Sequence, residues 1–93
     1  MSEYSREVAL SRLNELLAEE LEASIRYLHL GTLVQGIDRL VIQKVLQENH
    51  EETVEHAQQV SEKILQVGGT PKPKINLELT GEKCTQHVKG GSQ

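Results

Sequence analysis

Two segments of the chain, residues 5–35 and 39–67, carry apolar side chains at intervals of three and four positions. This interval is the repeat of an α-helix that buries one face. The repeat in the first segment consists of Leu10, Leu13, Leu17, Leu21 and Leu28. The repeat in the second consists of Ile42, Leu46, Val60, Ile64 and Val67. The pattern predicts two helices, each about 45 Å long at roughly 1.5 Å per residue.

Glycine and capping residues predict where these helices begin and end. Ser5 is a candidate N-cap for the first helix. Residues 36–38, Gly-Ile-Asp, interrupt the repeat: the glycine can close the first helix in a left-handed conformation, and Asp38 can cap the second. Gly68 and Gly69, followed by two prolines, end the second helix. A break as short as residues 36–38 predicts that the helices form an antiparallel hairpin.

The predicted domain organisation is a helical hairpin at residues 5–69 and an extended or flexible tail at residues 70–93. Within the tail, Ile75, Leu77 and Leu79 alternate with polar residues, as in a short strand or an extended arm. The residues from 81 onward are polar, and we expect little order there.

The apolar surface of the two helices exceeds what a single contact between them can cover. Its main members are Leu16, Leu17, Leu21, Leu28, Ile42, Val45 and Leu46. A chain of 93 residues also buries a low fraction of its surface when it folds alone. Two hairpins related by a two-fold axis would close an all-α four-helix bundle. We therefore predict a homodimer or a larger homo-oligomer, with docking onto a different protein as the alternative.

Composition and charge narrow the class of protein. The net charge is −4 and the pI is about 5.5, and no basic stripe is available to neutralise phosphates, which argues against nucleic acid as a partner. An acidic surface is compatible with attraction of metal cations. No apolar run approaches the roughly 18 residues of a membrane span, and the first residues do not resemble a signal peptide. We expect a cytoplasmic protein with no membrane partner, and location inside a protein compartment stays open.

The single cysteine, Cys84, allows no internal disulfide, which suits a reducing compartment. Cys84 and His87 are separated by two residues and could share a metal. One such pair is half of a zinc site, so a solvated tail is the better interpretation.

Five polar side chains interrupt the apolar faces or border them. Glu20 and Tyr27 lie on the first helix, whereas Thr53 and His56 lie on the inner face of the second, with Glu52 about 40° around the helix from His56. A buried carboxylate is costly unless it is paired or binds a metal. In a dimer, Glu20 and His56 of both copies would supply four ligands, and Glu52 would raise the number to six.

A carboxylate and imidazole set suits iron, manganese or zinc. The alternative for Glu20 and His56 is a charge-assisted hydrogen bond without a metal. Tyr27 could support a ligand or accept an electron, or it could fill the core with its hydroxyl bonded to a neighbouring carboxylate.

These residues resemble a known family. The similarity is to the N-terminal half of bacterioferritin, and it is carried by residues 13–15, 19–23, Tyr27, His56 with Ala57, 64–65 and 68–71. The run Glu-Glu-Leu-Glu-Ala at 19–23 is also similar to the encapsulated ferritins, which are two-helix ferritin halves that pair and hold iron between copies. The resemblance implies a ferritin-like half-bundle and an iron cofactor, held in the family as a di-iron centre.

Carried over by position, the resemblance assigns Glu20 as the iron ligand of the first helix. His56 matches the histidine of the Glu-x-x-His ligand pair, and Tyr27 matches the tyrosine beside the iron centre. The glutamate that bridges the two irons in the family falls at Thr53, which is shorter and neutral. Glu52 could compensate only through a local shift of the helix.

Two functions are compatible with these observations. The first is an iron-binding ferritin-like protein that oxidises Fe(II), a ferroxidase, at Glu20 and His56. The second is a ferritin-like dimer with a degenerate site that serves as a structural or interaction component, for example with an encapsulating shell protein. The haem-ligating methionine of bacterioferritin falls at Val54, so no haem is expected.

Overall fold

The computed structural model describes the backbone of residues 3–82 and 84–85 and the side chains of residues 5–82. The elements in chain order are α1 (Glu3–Leu33), β1 (Val34–Gln35), α2 (Arg39–Gln66) and β2 (Cys84–Thr85). Helices α1 and α2 pack against each other as a hairpin, which confirms the predicted all-α fold. Within the described residues, no helix combines the length and the apolarity that crossing a membrane requires.

The N-terminal cap of each helix differs in detail from the prediction, although α2 begins at Arg39 as predicted. Helix α1 begins at Glu3, so Ser5 lies inside its first turn and the prediction of Ser5 as the N-cap is wrong. Asp38 occupies the N-cap position of α2, but its side chain makes no capping hydrogen bond. The backbone closes this turn, because Arg39 N donates to Gly36 O at 3.2 Å. Gly36 has a φ of 112°, the left-handed conformation expected after α1.

The end of α2 is a Schellman motif. Gly68 has a φ of 93° and its amide donates to Leu65 O, whereas the amide of Gly69 donates to Ile64 O, at 3.0 and 2.9 Å. Arg6 on α1 donates from Nε to Val67 O at 3.0 Å and from Nη2 to Gly68 O at 2.8 Å. The Arg6 guanidinium therefore satisfies carbonyl groups at the negative end of the α2 dipole. It also joins the start of α1 to the end of α2.

The core between the helices is narrow and aliphatic. Leu17, Ala57 and Ile64 are buried. Partly buried apolar side chains pack around them: Leu10, Leu13, Leu21 and Val60. Other large apolar side chains are left in water, including Leu16 at 45% exposed and Val45 at 50%. The hairpin alone does not cover its apolar surface.

Residues 70–82, here called the strap, return along α1 without regular secondary structure. Three hydrogen bonds join the strap to α1: Lys72 N to Asn14 Oδ1 (2.6 Å), Asn76 N to Glu22 Oε2 (3.2 Å) and His29 Nε2 to Thr80 O (2.6 Å). Four residues of extended chain cover about 13 Å, close to the roughly 11–12 Å covered by seven or eight helical residues. Because the strap and α1 advance by similar distances between successive hydrogen bonds, the bonds between them recur at regular intervals.

The strap ends at a small sheet that the sequence pattern did not predict. Strands β1 and β2 pair in parallel, with Val34 opposite Cys84 and Gln35 opposite Thr85. The strap is extended, which is one of the two forms that the sequence predicted for the tail. For Cys84 only the backbone is described, and His87 lies outside the described residues, so the predicted pairing of these two side chains stays a prediction.

Candidate metal centre

The antiparallel packing brings Glu20 on α1 level with His56 on α2. His56 Nδ1 lies 3.0 Å from Glu20 Oε2, which is hydrogen-bond distance. The Glu20 side chain is 22% exposed and the His56 side chain 48%. The pair is therefore half-open to water and stands at the surface of the isolated hairpin.

The pair lies on the side of the hairpin opposite the strap. At about 100° per residue, Glu20 is roughly 60° around α1 from the buried Leu17, and His56 is roughly 100° around α2 from the buried Ala57. Both displacements have the same rotational sense, which in an antiparallel pair leads to the same side of the hairpin. Asn14, which binds the strap, is displaced from Leu17 in the opposite sense. We call the side that carries Glu20 and His56 the open face.

The strap side is a separate groove. Leu21 of α1 and Val54 of α2 line it with Pro71 and Pro73 of the strap, and its volume is about 620 Å³. Val54 therefore lies away from the side that carries Glu20 and His56.

Thr53 uses its hydroxyl within its own helix. Its Oγ1 lies 3.0 Å from Asn49 O and 2.8 Å from His50 O, and the hydroxyl proton is shared between these two carbonyl oxygens. Thr53 is half-buried, one turn before His56. At this position of the open face, the chain supplies a satisfied neutral group instead of a carboxylate.

Glu52 and Tyr27 lie near the Glu20–His56 pair and differ in solvent exposure. Glu52 is exposed, and Tyr27 is half-buried two turns beyond Glu20 on the same face of α1. Among the described residues, no group of three or more His, Cys, Asp or Glu side chains is arranged to hold a metal ion. One chain therefore brings together Glu20 and His56, and further ligands would have to come from a second copy or from water.

The Glu20–His56 pair fits two adjacent ligands of one metal ion. Carboxylate oxygen and imidazole nitrogen are donors that iron, manganese and zinc accept. Their separation of 3.0 Å is that of a hydrogen bond, and two donor atoms this close together are near enough to be neighbouring ligands of one ion.

His50 supports the same region and was not predicted to do so. His50 is half-buried, and its Nδ1 donates to Ser24 O at 2.7 Å. Ser24 is one turn beyond Glu20 on α1. The signal in the sequence is spacing, because His50 precedes the buried Ala57 by two turns and so shares its inner face.

Comparison with known families is consistent with this geometry. Residues 10–86 match the sequence model of the ferritin-like domain. The match spans most of the chain, including α1 from residue 10 onward, the whole of α2 and the strap, so the chain belongs to the ferritin-like family. No curated protein and no solved structure compared with the chain gives a match.

Proposed function

We propose that the chain is an iron-binding ferritin-like protein in which two copies pair through their open faces. Glu20 and His56 of each copy then hold iron between the chains. The observation that carries this proposal is the 3.0 Å contact between the Glu20 carboxylate and the His56 imidazole on a face bordered by exposed apolar side chains.

The surface of the chain supports pairing. Leu16 and Val45, both exposed, lie on the open face beside Glu20 and His56 and would be buried by a second copy.

The chain's own residues would perform distinct tasks in such a dimer. Glu20 supplies negative charge and His56 a neutral nitrogen donor, and pairing moves both from partial exposure into a drier environment where their attraction for a cation increases. Tyr27 would fill the space beside Glu20 and could orient its carboxylate. Bound iron would supply the redox chemistry, each Fe(II) giving one electron to oxygen or peroxide.

An anaerobic titration with Fe(II), followed by admission of air, tests this function. We expect wild-type chains to bind Fe(II) and then to form Fe(III), seen by its near-ultraviolet absorbance. Glu20→Ala and His56→Ala should weaken binding by more than about tenfold, the loss seen even for residues that only support a ligand. Glu55→Ala is the matched control, since Glu55 adjoins His56 in sequence and is exposed. Equal binding by wild type and Glu20→Ala would exclude this site.

A second candidate function is a structural or interaction component, for example one that associates with a protein shell. It is favoured by Thr53, whose hydroxyl is satisfied within its own helix, and by the exposure of Glu52. This function predicts a stable dimer that neither binds nor oxidises Fe(II). The iron titration and a sedimentation experiment on the same sample separate the two functions.

A further inference from the structure

From the charges on the open face, we infer that a pair of chains binds one divalent metal ion, whereas a di-iron centre would require two. The inference rests on the proposed pairing and metal binding through Glu20 and His56. It concerns how many ions the site can hold.

The number of carboxylates limits the charge that the site can compensate. On the open face, each chain directs Glu20 to the pair, while Thr53 and Tyr27 are neutral. Glu52 is exposed in the hairpin and lies about 140° around α2 from the buried Ala57, about 40° farther than His56, so it stays at the rim of the open face and outside the contact between Glu20 and His56. Two chains thus supply two negative charges, which neutralise one divalent cation. A second divalent cation would leave two positive charges uncompensated in a buried interface, which is strongly unfavourable.

The lack of a carboxylate that could bridge two metal ions also indicates a single ion. Two-metal centres hold their ions about 3.5–4 Å apart, and bundle proteins do this with a Glu-x-x-His motif whose glutamate lies one turn before the histidine. In this chain the residue one turn before His56 is Thr53, and its hydroxyl proton is given to the carbonyl oxygens of Asn49 and His50. The side chain has no charge with which to bridge two cations.

The ligand set that remains is complete for one ion. Two carboxylates and two imidazoles provide four donors, the number found in closed protein sites for Zn(II). Fe(II) accepts the same donor types. The single site would therefore bind either ion, with water free to complete the shell of Fe(II).

Native mass spectrometry of the intact dimer, with Zn(II) or anaerobic Fe(II) as the probe, tests the inference. We expect one metal ion per two chains in the wild type. Thr53→Glu adds two carboxylates per dimer at the bridging position and should raise the ratio to one ion per chain. Thr53→Val removes the hydroxyl without adding charge and should leave the ratio at one per two chains.

Each outcome has a separate meaning. One ion per chain in the wild type, with binding abolished by Glu20→Ala, overturns the single-ion site while the proposed function stands. No binding, or binding unaffected by Glu20→Ala, overturns the proposed function and the inference with it. A folded Thr53→Glu dimer that still binds one ion overturns the charge argument. If Thr53→Glu fails to fold, as judged by circular dichroism, the wild-type and Thr53→Val ratios decide.

Discussion

His50 donates from Nδ1 to the backbone carbonyl oxygen of Ser24 at 2.7 Å, and this hydrogen bond crosses from α2 to α1. It lies one helical turn from Glu20 on α1 and less than two turns from His56 on α2. Gln43 makes a second crossing of this kind, to Gly31 O at 2.8 Å. Together these bonds fix the sliding register of two helices whose apolar contacts alone would tolerate small shifts.

Replacement of His50 by Ala should destabilise the hairpin. The lost hydrogen bond is worth about 0.5–1.5 kcal/mol, and the half-buried ring adds packing. Urea denaturation at fixed chain concentration measures the change, because association alters the apparent stability. Gln47→Ala, at an exposed position one turn away, is the control. Equal midpoints for the two variants would show that the His50–Ser24 bond contributes nothing.

The core prediction compares two adjacent residues of α2. Ile64 is 0% exposed whereas Leu65 is 61% exposed. We expect Ile64→Ala to lower the free energy of unfolding by about 2–5 kcal/mol through lost burial and a residual cavity. Leu65→Ala should change it by no more than about 0.5 kcal/mol. Similar losses in both variants would mean that the buried face of α2 is assigned incorrectly.

Gly69 allows the chain to pass close to α1. A Cβ atom at this position would collide with Cδ2 of Leu10, and a Cβ at Gly81 would meet nothing within 4 Å. Gly69→Ala should therefore cost about 1–3 kcal/mol, as overpacking typically does. Gly81→Ala should be close to neutral. Thermal denaturation of both variants checks this, and a neutral Gly69→Ala would contradict the close approach of Gly69 to Leu10 on α1.

The open face should be sensitive to charge if it is the pairing surface. Val45 is 50% exposed and lies on this face, so Val45→Glu would bury a carboxylate in the interface. We expect it to convert dimer to monomer at micromolar concentration in sedimentation velocity. Leu65→Glu introduces the same charge at a similarly exposed position on the strap side and should leave the dimer intact. Dissociation by Leu65→Glu and not by Val45→Glu would assign pairing to the other face.

The sequence was sufficient for the features that depend on helical periodicity. The apolar repeat predicted both helices, and Gly68 and Gly69 predicted the end of α2 because a positive φ favours glycine. The same periodicity predicted that Glu20 and His56 would lie on inward faces. The structure brings the two side chains to 3.0 Å from each other, but His56 lies at the side of the hairpin with its side chain 48% exposed, so its inward position was predicted incorrectly for the single chain. Metal binding by this pair stays a prediction.

The contacts that the sequence did not reveal join polar side chains to backbone groups far along the chain. Arg6 caps a helix that ends 60 residues later, and Asn14 binds the amide of Lys72. Such hydrogen bonds leave no periodic pattern in the sequence. They depend on the path of a segment without regular secondary structure. The prediction that Ser5 caps α1 failed for a different reason, because the helix begins at Glu3, two residues before Ser5 and well before the first residue of the apolar repeat.

The position of the strap has a consequence for how far assembly can proceed. A hairpin with two equivalent apolar sides could add copies to both, and such an arrangement grows into an open stack. The strap occupies one side, so a copy that pairs through the other side leaves no equivalent surface for a third. Removal of the strap would then be expected to change a finite particle into a growing one.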